Sequence, residues 1–122
     1  MGDWLDPMNL IPISATSYTF KSGDEQCTLV FSSPTGCVVT VPTNASIFFP
    51  AGTSFACIDE TGLASHGLIF GGPGAGATGG SAAGVTLVSY LNAYRSAGNG
   101  IQVDIIRSLT ADKWYIGGGL VV

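Results

Sequence analysis

The stretch that decides the fold of this chain is Val38-Val-Thr-Val-Pro-Thr-Asn-Ala-Ser-Ile-Phe-Phe-Pro-Ala-Gly-Thr-Ser-Phe55. Its β-branched and aromatic residues are separated by Pro, Asn and Gly, which is typical of short strands joined by tight turns. We predict a strand, a turn at Pro42–Ser46, a short apolar strand, a second turn at Pro50–Gly52 and a third strand. The stretch predicts an all-β module, and nothing in it is typical of a catalytic site.

Strands with the same character are predicted on both sides of this stretch. Apolar residues alternate with polar ones there, and turn residues recur every few positions, whereas no convincing helical pattern occurs. Leu29 and Phe31 are predicted to share one face of their strand, and Cys37, Val39 and Val41 one face of the next. In a later strand, Ile101, Val103 and Ile105 are predicted to face inward. Asn99-Gly100 is a strong signal for a hairpin turn. The fold class predicted from this pattern is all-β, a small antiparallel sandwich or barrel.

The chain divides into an extended N-terminal arm, residues 1–17, and a single β domain, residues 18–122. Pro7 and Pro12 exclude a helix from the arm. Its apolar side chains are those of Trp4, Leu5, Met8, Leu10, Ile11 and Ile13. Such an arm is expected either to cover the core of its own domain or to bind a neighbouring subunit, and the sequence leaves both open. Within the domain, the Gly-rich segment 71–84 is predicted to be an irregular loop.

The charge composition excludes several kinds of partner. Only 10% of the 122 residues are charged, and 4 Lys and Arg residues give a formal net charge of -4. So few cations cannot neutralise many phosphates or bind an anionic membrane, so we expect neither a nucleic-acid nor a membrane partner. Apolar residues make up 46% of the chain. This high apolar fraction, combined with so few charged residues, favours an oligomer in which part of the surface of each subunit is covered by a partner.

The N-terminal sequence contains no basic region that would indicate a secretory signal. We therefore expect synthesis in a reducing cytoplasm and predict that Cys27, Cys37 and Cys57 are free thiols. The C-x2-C spacing of a zinc site is absent, so no metal ligand is predicted.

Residues with catalytic potential are few. His66 is predicted to be a surface histidine, because no acid and nucleophile are arranged around it. The pairs Asp24-Glu25 and Asp59-Glu60 are predicted to be solvated turn carboxylates. Gly74-x-Gly76-x-x-Gly79 matches the dinucleotide fingerprint, but no amphipathic helix follows it. We predict no catalytic residue and no cofactor, and hence a protein that is not an enzyme.

Interface residues are predicted from the aromatic side chains near the C-terminus. Trp114 alternates with Ile116 and is assigned to the core. Tyr94 and Arg95 are assigned to an interface, since Tyr and Arg are enriched in the residues that dominate binding energy.

The order of these features resembles a family. Val39–Thr53 resembles the "VTVPxNSSxxFPxGT" segment of small β modules in tailed-phage structural proteins. Gly84-Val-Thr-Leu87 is similar to the Gly-rich strand that follows in those modules. Their aromatic and Gly-rich ending is matched by Ile101–Arg107, Asp112, Trp114, Gly119 and Leu120. The resemblance covers roughly residues 18–122.

The resemblance implies a virion structural protein made in the host cytoplasm. We expect a capsid decoration (cement) protein on the capsid surface, binding across neighbouring subunits of the major capsid protein. It would assemble with itself, as a homotrimer or else a dimer. The expected capsid or subunit interface consists of Trp4, Leu5, Met8, Leu10, Tyr94 and Arg95. The alternative is a receptor-binding tail fibre or tail tip module, whose loops 59–67 and 71–84 would contact the host.

Overall fold

A computed structural model describes residues 9–70, 85–89 and 93–122. The predicted loop 71–84 and the predicted interface residues Trp4, Leu5 and Met8 lie outside the described residues. The described residues form eleven strands and a short 3₁₀ turn at Asp24–Gln26. The strands are β1 (Asn9–Ile13), β2 (Ser17–Thr19), β3 (Cys27–Phe31), β4 (Cys37–Thr40), β5 (Ser54–Asp59), β6 (Leu68–Ile69), β7 (Thr86–Ser89), β8 (Arg95–Ser96), β9 (Gln102–Arg107), β10 (Lys113–Gly118) and β11 (Leu120–Val121). The prediction of an all-β, sandwich-like fold is confirmed.

The strands form two sheets that pack together around one core. Sheet A has six strands in the order β1-β3-β5-β9-β10-β7, and sheet B has five in the order β11-β8-β6-β4-β2. From β1 to β6 the chain passes alternately from one sheet to the other. Strands β1, β3 and β5 are therefore parallel neighbours in sheet A, and β2, β4 and β6 are parallel neighbours in sheet B. In this first half, the chain winds as a flattened coil, and the strands of successive turns pair in parallel.

The second half adds antiparallel strands to the coil. Strand β9 pairs antiparallel with β5, and β8 pairs antiparallel with β6. Strands β10 and β11 continue the two sheets with antiparallel pairs, and β7 lies parallel to β10 at the edge of sheet A. Both sheets are therefore mixed, and the antiparallel arrangement predicted from the turn signals is corrected to this mixed one.

The stretch 38–55 contains two strands rather than three. Its first turn is closed by hydrogen bonds from the Ser46 and Ile47 backbone N–H groups to the carbonyl of Thr43, at 3.0 and 3.1 Å. The predicted apolar strand after this turn is absent, because Phe49 instead turns into the core with an exposed fraction of 3%. The second turn has the Thr53 N–H donating to the Pro50 carbonyl at 3.1 Å.

An aromatic cluster fills the core between the sheets. Phe55 stacks on Phe20 with ring centroids 4.1 Å apart and on Trp114 at 5.5 Å. Phe49 meets Phe55 edge to face at 5.1 Å. Such pairs add about 0.5–1.5 kcal/mol each beyond the area they bury. The assignment of Trp114 to the core agrees with the structure, which buries it together with Ile116.

The turn predicted to close a hairpin at Asn99-Gly100 has a different role, and a second turn shares it. Asn99-Gly100 forms a turn, with Gly100 at φ 83°, but it carries the chain from β8 in sheet B to β9 in sheet A. The turn closed by Gly36 N–H on the Ser33 carbonyl likewise joins β3 to β4 across the sandwich. Neither is a hairpin, because the strands on its two sides belong to different sheets.

The described part of the predicted arm belongs to the β domain. Residues 9–13 are β1, the edge strand of sheet A, and the Ile13 carbonyl accepts a hydrogen bond from the Ser32 N–H at 2.9 Å. Alternate residues of a strand direct their backbone groups to opposite sides. The Pro12 nitrogen therefore faces the side of β1 with which no strand of the described residues pairs. A proline there removes a donor from the open edge, which is a common protection against edge-to-edge association.

Candidate interaction surface

The outer face of sheet A carries a row of apolar side chains. Tyr115 on β10 is paired in register with Ile106 on β9 and with Val88 on β7. All three side chains are substantially exposed, Tyr115 to 48%. Leu109, in the loop after β9, is exposed to 94%. Contiguous exposed apolar residues mark a site of interaction, so we call these four residues the apolar row.

A groove of about 550 Å³ opens beside the apolar row. Its walls are the side chains of Ile106, Leu109 and Tyr115 together with residues 51–52 and 107–110. No carboxylate belongs to the residues that line it. The groove can therefore accept an apolar segment without burying an acid of its own.

Two cations border the groove. The Lys113 ammonium lies 5.8 Å from the centroid of the Tyr115 ring. Arg107 is buried, and its Nη1 donates to the Ser108 carbonyl at 2.6 Å. Asp104 lies one row away on the same face and accepts a hydrogen bond from Gln102 at 3.0 Å. The groove is therefore apolar with a positive border.

The stretch 38–55 holds the wall of the groove in place. The Asn44 backbone N–H donates to Oδ1 of Asp112 at 2.6 Å, and the Asn44 side-chain oxygen accepts from Arg107 at 3.5 Å. The Gly52 N–H donates to the Arg107 carbonyl at 2.9 Å, and the Arg107 N–H donates to the Thr53 carbonyl at 2.8 Å. Both turns of the stretch thus anchor the segment that presents Leu109.

The largest polar cluster described lies on the inner side of the sandwich. Asp59 is fully buried at the end of β5. Its Oδ1 accepts from the Thr61 N–H at 2.9 Å and the Thr61 hydroxyl at 2.7 Å, and its Oδ2 accepts from the Ser96 hydroxyl at 2.7 Å. The Ser96 oxygen in turn accepts from the Leu68 N–H at 2.8 Å. The carboxylate therefore joins β5 to β6 and β8 across the sandwich.

His66 lies next to this cluster in the chain, but its ring does not enter it. Its backbone N–H donates to the Ser96 carbonyl at 2.8 Å, while ring atom Nε2 lies 3.2 Å from the Val122 carbonyl oxygen at the surface. Ser96 has no exposed surface, and both hydrogen-bonding roles of its hydroxyl are occupied. The cluster can hold strands together, but it presents no hydroxyl to solvent.

Two carboxylates were predicted to be solvated and are not. Asp59 is buried as described, and Asp24 is buried under the hydroxyl of Tyr18, which donates to its Oδ2 at 2.7 Å. Burial, followed by this hydrogen bond to Asp24, raises the pKa of Tyr18 above its usual value. Asp59 continues the inward alternation of Phe55 and Cys57, and that signal in the sequence could have identified it.

The predicted interface residues lie apart in the structure. Tyr94 was predicted to be an interface residue and is a core residue instead, exposed to only 3%, with its hydroxyl donating to the Leu87 carbonyl at 3.1 Å. Arg95 is half-buried on β8 in sheet B. Leu10 is exposed on β1, at the opposite edge of sheet A from β7. The structure brings none of these three to the groove.

The residues of the groove were not singled out from the sequence. A signal was available for Ile106, since placing Val103 and Ile105 inward leaves Ile106 on the outer face. The same signal was available for Tyr115, since assigning Trp114 to the core by its alternation with Ile116 leaves Tyr115 on the outer face. Leu109 gave no comparable signal, because it lies in a loop.

The three cysteines are free thiols. Burial raises the pKa of Cys37 to about 11. Burial also raises the pKa of Cys57 well above its usual value, with a smaller contribution from Asp104. These two thiols are therefore protonated at neutral pH and poor nucleophiles.

Neither a metal site nor a membrane-spanning helix is found in the described part of the chain. His, Cys, Asp and Glu side chains form no group there that could hold an ion. No helix among residues 9–70, 85–89 and 93–122 is long and apolar enough to cross a membrane.

No protein-family model, curated protein or solved structure matches the chain.

Proposed function

We propose that this protein is a bacteriophage virion structural protein, a capsid decoration protein that stabilises the shell by binding across neighbouring capsid subunits. The observation that carries the proposal is the groove and the apolar row on the outer face of sheet A. A surface of this kind serves assembly, because it offers apolar area for burial. The assignment to a virion comes from the resemblance of Val39–Thr53 to phage modules.

The energetics suit an adhesive role. Full burial of an exposed Leu or Ile side chain stabilises a complex by about 1.5–3 kcal/mol. Leu109, Ile106 and Tyr115 together therefore offer a modest affinity for each copy. Many copies bound at symmetry-related positions of one shell multiply that effect, since each bound subunit of an oligomer holds the others close to their sites. The expected partners are the major capsid protein and further copies of this chain, as a homotrimer or a dimer.

Copy number per particle tests this proposal. Purified virions are digested, and the amount of this protein is measured by quantitative mass spectrometry against the major capsid protein. A copy number comparable to that of the capsid protein is the expected result. A small multiple of three would instead support the alternative of a tail fibre or tail tip module, and absence from particles would overturn both.

Particles also allow the surface to be tested. Leu109→Asp should lower occupancy on the shell, because it places a carboxylate in an apolar contact. Gln102→Asp is the matched control, since Gln102 is exposed on β9 of the same face and does not line the groove. Equal occupancy for the two variants would show that the groove takes no part in assembly.

A further inference from the structure

We infer that the groove beside Tyr115 binds the N-terminal segment of a second copy of this chain, residues 1–8, so that each subunit of the oligomer holds its neighbour. The inference rests on the proposed function only in assuming that the protein assembles with itself.

The groove selects for an apolar segment with negative charge. Its side-chain walls are Ile106, Leu109 and Tyr115, and the Lys113 ammonium lies over the Tyr115 ring. No acidic residue lines it. An apolar occupant gains the most from these walls, and a carboxylate beside the occupant gains from Lys113.

Residues 1–8 have this composition. The sequence is Met-Gly-Asp-Trp-Leu-Asp-Pro-Met, with two carboxylates and no basic side chain. Trp4 and Leu5 stand between Asp3 and Asp6, so each large apolar side chain has an acid next to it. Tryptophan is among the residues that most often dominate the binding energy of an interface. The segment and the groove are therefore complementary in both hydrophobicity and charge.

The distance within one molecule favours a neighbour as the source of the segment. Asn9 begins β1, and β10 is four strands away in sheet A. With strands about 4.8 Å apart, that separation is about 19 Å. Trp4 precedes Asn9 by five residues. Those residues span at most about 18 Å when fully extended. A fully extended segment thus reaches Ile106 on β9 but stops short of the Tyr115 backbone in its own molecule. The segment of a second copy is not limited by the distance from β1.

Photocrosslinking between two isotopic forms of the full chain tests the inference. In the unlabelled form, Trp4 is replaced by p-benzoylphenylalanine, and the ¹⁵N-labelled form keeps the natural residue. The two forms are mixed in denaturant, refolded together and irradiated. Trypsin cleaves after Arg107 and Lys113 and so separates peptides 108–113 and 114–122, which carry Leu109 and Tyr115. Cross-links from position 4 to the labelled forms of these two peptides are expected.

A labelled chain carrying Leu109→Asp should give a several-fold lower cross-link yield, whereas Gln102→Asp should leave the yield unchanged. Cross-links confined to the unlabelled chains would mean that the segment folds back on its own molecule, and this result would overturn the inference. Labelled cross-links that reach neither Ile106, in peptide 96–107, nor Leu109 or Tyr115 would overturn it as well, and so would the absence of cross-links. Because the experiment uses purified protein, its outcome is independent of the copy number on virions, which tests the proposed function.

Discussion

Replacing Asp59 with asparagine should destabilise the fold by removing one acceptor from a site where every hydrogen bond is used. The carbonyl oxygen of asparagine can still accept from the Thr61 N–H and hydroxyl, but its NH₂ group cannot accept the proton of the Ser96 hydroxyl at 2.7 Å. Ser96 already accepts from the Leu68 N–H. One buried donor is left without a partner, which costs about 1–3 kcal/mol.

The surroundings of Asp59 leave little room for relaxation. A Cβ atom built on Gly67 would lie 2.5 Å from Oδ2 of Asp59, so the backbone packs directly against the carboxylate. We therefore expect neither a water molecule nor a large side-chain movement to replace the lost acceptor.

Urea unfolding of the full chain measures the effect. Asp59→Asn should lower the free energy of unfolding by about 1–3 kcal/mol. Asp104→Asn is the matched control on an exposed position of β9 and should stay within about 0.5 kcal/mol of the natural protein. If Asp59→Asn were as stable as this control, the buried network would not hold β5, β6 and β8 together in the way described here.

Three further predictions concern stability and association. Phe49→Ala should lower the free energy of unfolding in urea by about 3–5 kcal/mol, because it empties part of the aromatic core. Phe48, with 66% of its surface exposed, is the control, and Phe48→Ala should lower the free energy of unfolding by less than about 0.5 kcal/mol. Equal losses would contradict the placement of the two rings. Folding raises the pKa of the Cys37 thiol from 9.0 to about 11. As the pH rises through that interval, the thiol of the unfolded chain loses its proton before the thiol of the folded chain does, so the stability of the fold should fall. Over that pH interval, the urea midpoint of Cys37→Ala should fall less than the midpoint of the natural protein. An equal fall for the two proteins would refute the raised pKa of Cys37. Pro12→Ala should restore a donor to the open edge of β1 and increase concentration-dependent association in light scattering, with Pro50→Ala as the control.

Local alternation in the sequence was sufficient to predict which residues face the core. Val103, Ile105 and Trp114 are buried as their spacing predicted, and Leu29 and Phe31, which were predicted to share a face, are both buried. Alternation succeeds because consecutive side chains of a strand point to opposite faces whatever the neighbouring strand is. The same property explains why the sequence predicted the fold class but not the strand order.

Strand pairing was beyond the sequence because it depends on contacts between distant residues. Asn99-Gly100 determines that the chain turns, since Gly100 adopts a positive φ, but not whether the next strand joins the same sheet or the opposite one. The prediction that Tyr94 lies in an interface was wrong for a related reason. Residue type favours an interface for a tyrosine. The Tyr94 hydroxyl can donate to the Leu87 carbonyl only once β7 and β8 have been placed in different sheets.

The groove was equally beyond prediction, because its walls come from separate parts of the chain. Residues 51–52 precede β5, Ile106 and Arg107 end β9, residues 108–110 follow β9, and Tyr115 belongs to β10. Each segment is unremarkable by itself, and only the antiparallel pairing of β5 with β9 and of β9 with β10 places them side by side.

The stretch that resembles phage modules is also what supports this surface. Its two turns bind Arg107 and Asp112 through Asn44, Gly52 and Thr53, and Leu109 lies between those two anchored positions. None of the polar groups that make these bonds needs to touch a partner. In the proposed function, the motif contributes to binding only through the loop it holds. An exposed leucine on an unanchored loop would lose conformational entropy on binding, whereas this loop has already lost that entropy on folding.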